Sequence, residues 1–109
     1  MTVVVLTADK HHLAAVRDAL PAGSEIRAAT TLKELSDMML QEDTAIVIID
    51  VHHPPVDPLE AVRLVKGTRW DVHLICIGEG DASERALRAH NQVHPPSAWQ
   101  ALGPLLHSG

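Results

Sequence analysis

The stretch AIVIIDVHHPPVDP, residues 45–58, decides the fold. Ala45 to Ile49 run apolar without interruption. A single carboxylate, Asp50, follows, and then two histidines and two prolines. An unbroken β-branched run, with no polar residue alternating through it, reads as a strand buried on both faces. Such strands belong to parallel sheets covered by helices on either side. In open α/β sheets of that kind ligands bind beyond the carboxyl ends of the strands, where Asp50 falls. Two readings of Asp50 are open at this point. It is either a nucleophilic carboxylate or a structural acid that accepts backbone N–H bonds at the strand end.

Outward from this stretch the same grammar repeats. Val3 to Leu6 and Leu74 to Ile77 are further uninterrupted apolar runs. Ser24 to Ala29 and Asn91 to Val93 are more polar, which a strand tolerates only at a sheet edge. Helical spacing fills the gaps. Leu13, Val16 and Leu20 share a face, and Pro21 and Gly23 end that helix. Thr30 or Thr31 caps a second helix carrying Leu32, Leu35 and Met39. Pro58 opens a third with Leu59, Val62 and Val65, and Gly67 stands at its end. Asp81 or Ser83 caps a short fourth through Ala86 and Leu87. Ser97 caps a fifth with Trp99, Leu102 and Leu106, which Gly103 and Pro104 should break or kink. A strand and a helix alternate five times. With right-handed crossovers and the two polar strands at the edges, the expected fold is α/β: a flavodoxin-like three-layer (βα)5 sandwich. Its five-stranded parallel sheet has the order 2-1-3-4-5, and its fourth helix is shortened.

Composition narrows the function. The 109 residues suit one domain, residues 1–109, large enough to bury a core. There is no Phe or Tyr, so beyond Trp70 and Trp99 the core must be aliphatic. A formal net charge of −5 argues against direct nucleic-acid binding and against anionic membranes. The opening MTVVVLTADK lacks the pattern of a signal peptide, and no apolar run approaches membrane-spanning length. The lone cysteine, Cys76, sits in an apolar run and reads as a buried, inert thiol. A cytoplasmic domain is expected.

The chain resembles the response-regulator receiver domain over essentially its whole length. Receivers end their third strand on a phosphorylated Asp, then continue to a Pro and an Asp-Gly pair that opens the third helix. Here Asp50 is followed by Val51, His52, His53, Pro54, Pro55, Val56, Asp57 and Pro58, with Pro58 where Gly is usual. Val93-His94-Pro95 lies where receivers carry a Lys-Pro pair. The resemblance implies that Asp50 holds the phosphoacceptor position, and that Thr7, Ala8, Asp9, Gly78 and His94 hold the other pocket positions.

The pocket chemistry departs from the family. Receivers bind Mg²⁺ through an acidic pair after strand one, where this chain has Thr7 and Ala8, with Asp9 the one acid. That weakens any Mg²⁺ site. The usual Ser or Thr after strand four is Gly78, and the usual Lys is His94. The segment from Gly78 to His94 is short by about a helical turn or two against the receivers it resembles. A degenerate, or pseudo, receiver is therefore expected, with no enzymatic activity and no cofactor. It reads as the N-terminal regulatory domain of a larger signalling protein, docking to a protein partner or to its own output domain, with a homodimer left open. One alternative is a phosphorylatable receiver of a two-component phosphorelay using Asp50.

A second alternative is a metal or pH sensor. Eight histidines are many for this length, and His11, His12, His52, His53 and His94 all follow strand ends. Candidate metal ligands are His52, His53 and His94, although no known metal motif is matched. Asp9 is expected to cap the first helix rather than to bind metal. Gly78-Glu79-Gly80-Asp81 lacks a phosphate-loop fingerprint and reads as a plain turn. Trp99 is expected in the core and Trp70 part-exposed, and either could serve as a contact residue.

Overall fold

The computed structural model describes residues 2–52, 54–69, 71–78 and 93–107. Its elements run β1 (Thr2–Leu6), α1 (Lys10–Ala19), β2 (Glu25–Ala28), α2 (Leu32–Met39), β3 (Thr44–Asp50), α3 (Pro58–Thr68), β4 (His73–Ile77), β5 (Val93–His94), a 3-10 helix (Pro96–Gln100) and α4 (Leu102–His107). The five strands form one parallel sheet in the order β2-β1-β3-β4-β5. This is the flavodoxin-like α/β arrangement expected from the apolar runs.

The sheet is buried on both faces because its central strands are apolar through their middles, Val3 to Leu6, Ala45 to Ile49 and Leu74 to Ile77. On one face Val4, Leu6, Val47, Ile49 and Cys76 pack beneath Leu35 and Met39 of α2 and Ala61, Val62 and Val65 of α3. On the other, Val3, Val5, Ile46, Ile48, Ile75 and Ile77 meet Val16 of α1 together with Trp99, Leu102 and Leu106. Alternate residues of a strand point to opposite faces. The series Ile46, Ile48, Asp50 and the series Val3, Val5, Thr7 therefore both lead to the α1 face.

The helices start where short polar side chains meet orphan amides. Asp9 accepts from the His11 N–H, and Thr31 accepts from the Glu34 N–H at 3.0 Å. The Glu34 carboxylate in turn takes the Thr30 N–H and hydroxyl, which holds its carboxyl below the usual range. Asp57 caps α3 through the Leu59 N–H, with Pro58 in the first turn. At the start of β1 the Thr2 hydroxyl donates to Asp43, holding that carboxyl below its ordinary value. The stability linked to this bond is present above the unfolded-state value of Asp43. It is lost as pH falls through the lowered folded value. Thr2→Val is expected to move the Asp43 titration upward when followed by carboxyl-carbon NMR, and no movement would remove the hydroxyl as its cause.

Two expectations at the C-terminus are corrected. The fifth helical pattern is split, and the break falls at Ala101, not at Gly103 and Pro104. Pro104 sits in the first turn of α4, where a missing N–H and a fixed φ do no harm. The cap position of the 3-10 helix is Pro95 rather than Ser97, and it makes no side-chain cap bond. Helix α3 also runs through Gly67 and ends at Thr68. The fourth helix expected around Ala86 and Leu87 lies outside the described residues, as do Asn91 and Gln92. No helix among the described residues is long and apolar enough to cross a membrane.

Candidate functional site

Register brings three segments together at the carboxyl end of the sheet. Leu6 pairs with Ile49, so Thr7 and Asp50 emerge side by side from β1 and β3. Asp50 also pairs with Ile77, and Ile77 with His94, which places His94 two strands away on the same rim. Two strand spacings are about 10 Å.

Asp50 is 0% exposed. Its Oδ2 accepts the Thr7 hydroxyl at 2.6 Å, and Nδ1 of His12 lies 2.6 Å from the same oxygen. Its Oδ1 accepts the His52 backbone N–H at 3.0 Å. An ionised carboxylate is tolerated at full burial only when donors surround it, and these three supply that environment. A carboxylate at this distance takes the Nδ1–H of His12, which sets the tautomer and aims the ring.

His12 reaches this position because helical side chains lean back toward the helix N-terminus. From the first turn of α1 its ring is carried over the strand ends. The imidazole then lies flat on the indole of Trp99, with ring centroids 4.1 Å apart and planes 7° from parallel. Its Nε2 is 3.8 Å from a carboxylate oxygen of Asp9. Asp9 caps α1, and its own N–H donates to the Thr7 hydroxyl at 3.0 Å. A continuous polar path thus runs from Asp9 through Thr7 to Asp50, with His12 and Trp99 lying over it.

Gly78 follows β4 with φ of 140°, in a region that disfavours residues with a side chain. A Cβ there would stand 2.8 Å from the His52 backbone nitrogen. The space a side chain at position 78 would enter is filled by the loop after β3. That loop is pinned by the Val51 N–H to the Ile77 carbonyl, and Gly78 itself donates its N–H to the His94 carbonyl.

The expected site residues divide accordingly. Thr7, Asp9 and Asp50 converge. Ala8 is exposed beside them, and His94 stands on the rim, part-buried, at the end of β5. Cys76 is buried in β4, and Trp99, 4% exposed, is core. Trp70 and His53 lie outside the described residues. Among the described residues no group of three or more His, Cys, Asp and Glu side chains is arranged to hold a metal ion. The donor set around Asp50 does not fit a hard divalent cation, which wants several carboxylate or water oxygens in near-octahedral array. One Asp50 oxygen already carries a hydroxyl and an imidazole, and one oxygen of Asp9 takes the His11 N–H.

Pattern reading placed His12 on the histidine rim but did not single it out as the partner of Asp50. The available signal was its place three residues after Asp9, in the first turn of a helix that follows a buried strand. Comparison of the chain with models of known protein families and with curated proteins finds no match.

Proposed function

We propose that this chain is a degenerate receiver domain that works as a protein-interaction or regulatory module in the cytoplasm, without Mg²⁺-dependent phosphorylation. The observation that carries this reading is the state of Asp50. It stands at the end of the third strand of a 2-1-3-4-5 sheet, as the receiver phosphoacceptor does, yet it is fully buried and held by Thr7, His12 and the His52 N–H. Phosphoryl transfer to a carboxylate needs an exposed nucleophilic oxygen, in-line approach, and metal or cation to neutralise charge. At Asp50 the approach is closed, and the supporting positions are Thr7, Ala8, Gly78 and His94. The partner in this reading is another protein or an attached output domain. The acidic balance and the scarcity of aromatic residues disfavour nucleic acid.

The test is incubation of the chain with acetyl phosphate and Mg²⁺, read by intact mass. No gain is expected. A gain of one phosphoryl group that disappears in Asp50→Ala would replace this reading with that of a working phosphorelay receiver.

A further inference from the structure

Asp50 and Trp99 belong to different elements, and His12 touches both. One edge of its imidazole meets the Asp50 carboxylate, and one face lies on the Trp99 indole. The ring is rigid and planar, so the two contacts are geometrically tied. A side-chain rotation large enough to leave Asp50 also slides the imidazole off the indole.

A second, independent observation comes from Trp99 itself. The residue is buried, and its Nε1–H has no hydrogen-bond partner among the described residues. A buried indole N–H without an acceptor favours any arrangement in which it meets water or another acceptor. The seated position of Trp99 is held by apolar packing and by its stack on His12. Its surroundings make the seat a place where a local change has a wider effect. Trp99 lines, with Ala15, Ala19, Leu102 and Pro104, a groove of about 570 Å³ between α1 and the C-terminal segment.

We infer that Asp50, His12 and Trp99 form a conformational relay from the strand-end carboxylate to the C-terminal segment. A change at Asp50 that removes its bond to His12 frees the imidazole, unseats Trp99 and remodels the groove between α1 and α4. His12 is the positioning residue of this relay. The inference goes beyond the receiver reading, because the contacts operate whether or not a phosphoryl group ever reaches Asp50. Coupling of this kind requires an element with two discrete arrangements that both sites bias, and the stacked imidazole–indole pair is that element.

The test uses the full chain labelled with ¹⁵N. The indole resonance of Trp99 is assigned with Trp70→Phe, and amide exchange is followed at Ala98 and Ala101, whose N–H groups bond to Pro95 and Ala98. Asp50→Ala is expected to shift the indole resonance and to speed exchange at Ala98 and Ala101 by about tenfold beyond any change at Val4 and Val47, a usual size for coupling between sites. In a His12→Phe background the carboxylate bond is already gone, so adding Asp50→Ala should have no further effect on Trp99. An unmoved indole resonance, an equal rise at all four amides, or an undiminished Asp50→Ala effect in the His12→Phe background would each overturn the relay. If Asp50→Ala is too unstable to measure, His12→Ala and His12→Phe decide between them. The relay requires a loosened Trp99 in both, since neither side chain can bond Asp50, and a Trp99 seated as in the parent in either variant rejects it.

Discussion

Gly78→Ser is expected to lower the stability of the fold by about 3 kcal/mol, the sum of a glycine-only backbone conformation and a close steric contact. It is expected to create no phosphoryl-binding hydroxyl. The backbone φ is 140°, and a Cβ would stand 2.8 Å from the His52 nitrogen and 3.2 Å from the Val51 Cβ. The nearest of these atoms is backbone, so no flexible side chain can swing away to make room. Moving the loop instead would strain the Val51 N–H bond to Ile77, at 2.8 Å, and the His52 N–H bond to Asp50, at 3.0 Å. Urea unfolding of Gly78→Ser against the parent chain gives the measurement. A loss smaller than about 0.5 kcal/mol, the range of an ordinary surface substitution, would show that the loop yields easily and that the space is not committed.

The second large effect is expected at His12. Replacing it with Ala removes a bond to a buried carboxylate, worth about 1.5–3 kcal/mol. It also removes a stacked ring pair, worth about 1 kcal/mol. A combined loss of about 3 kcal/mol is expected, tempered by water reaching Asp50 from the vacated side. The same change should open Asp50 to a carbodiimide coupling reagent, seen as a modified Asp50 peptide that is absent from the parent. His12→Gln, which can still offer an N–H but cannot stack, should lose only part of that stability. If His12→Ala unfolds at the same urea concentration as the parent, the imidazole is not a structural partner of Asp50.

The architecture was legible because three strands carry unbroken apolar runs. Val3 to Leu6, Ala45 to Ile49 and Leu74 to Ile77 allow no half-exposed sheet, and that alone requires helices on both faces. The helix starts at Asp9, Thr31 and Pro58 were equally readable, because capping depends on two or three adjacent residues. The site was less legible for the opposite reason. The bonds to Asp50 come from Thr7 and His12, 43 and 38 residues away, and no local pattern encodes that convergence. Substitutions in the receiver pattern showed which groups are missing but not what replaces them. Gly78 reads in sequence as the loss of a hydroxyl. In the fold it is the point where the β3 loop closes over the space. The break at Ala101 was misplaced because Gly-Pro is a strong stop inside a helix and a harmless pair in its first turn.

The distribution of aromatic side chains has a consequence for how this molecule reports on itself. Among the described residues, the layer formed by α2 and α3 over the sheet holds no aromatic side chain, whereas the opposite layer holds Trp99. In a Trp70→Phe background, intrinsic fluorescence therefore senses only one side of the sheet. Partial melting of α2 and α3 would pass without a signal from Trp99, while far-ultraviolet dichroism would register it. Non-coincident transitions from the two probes would then reveal that one layer dissolves before the other, and coincident ones would mean that the two layers unfold together.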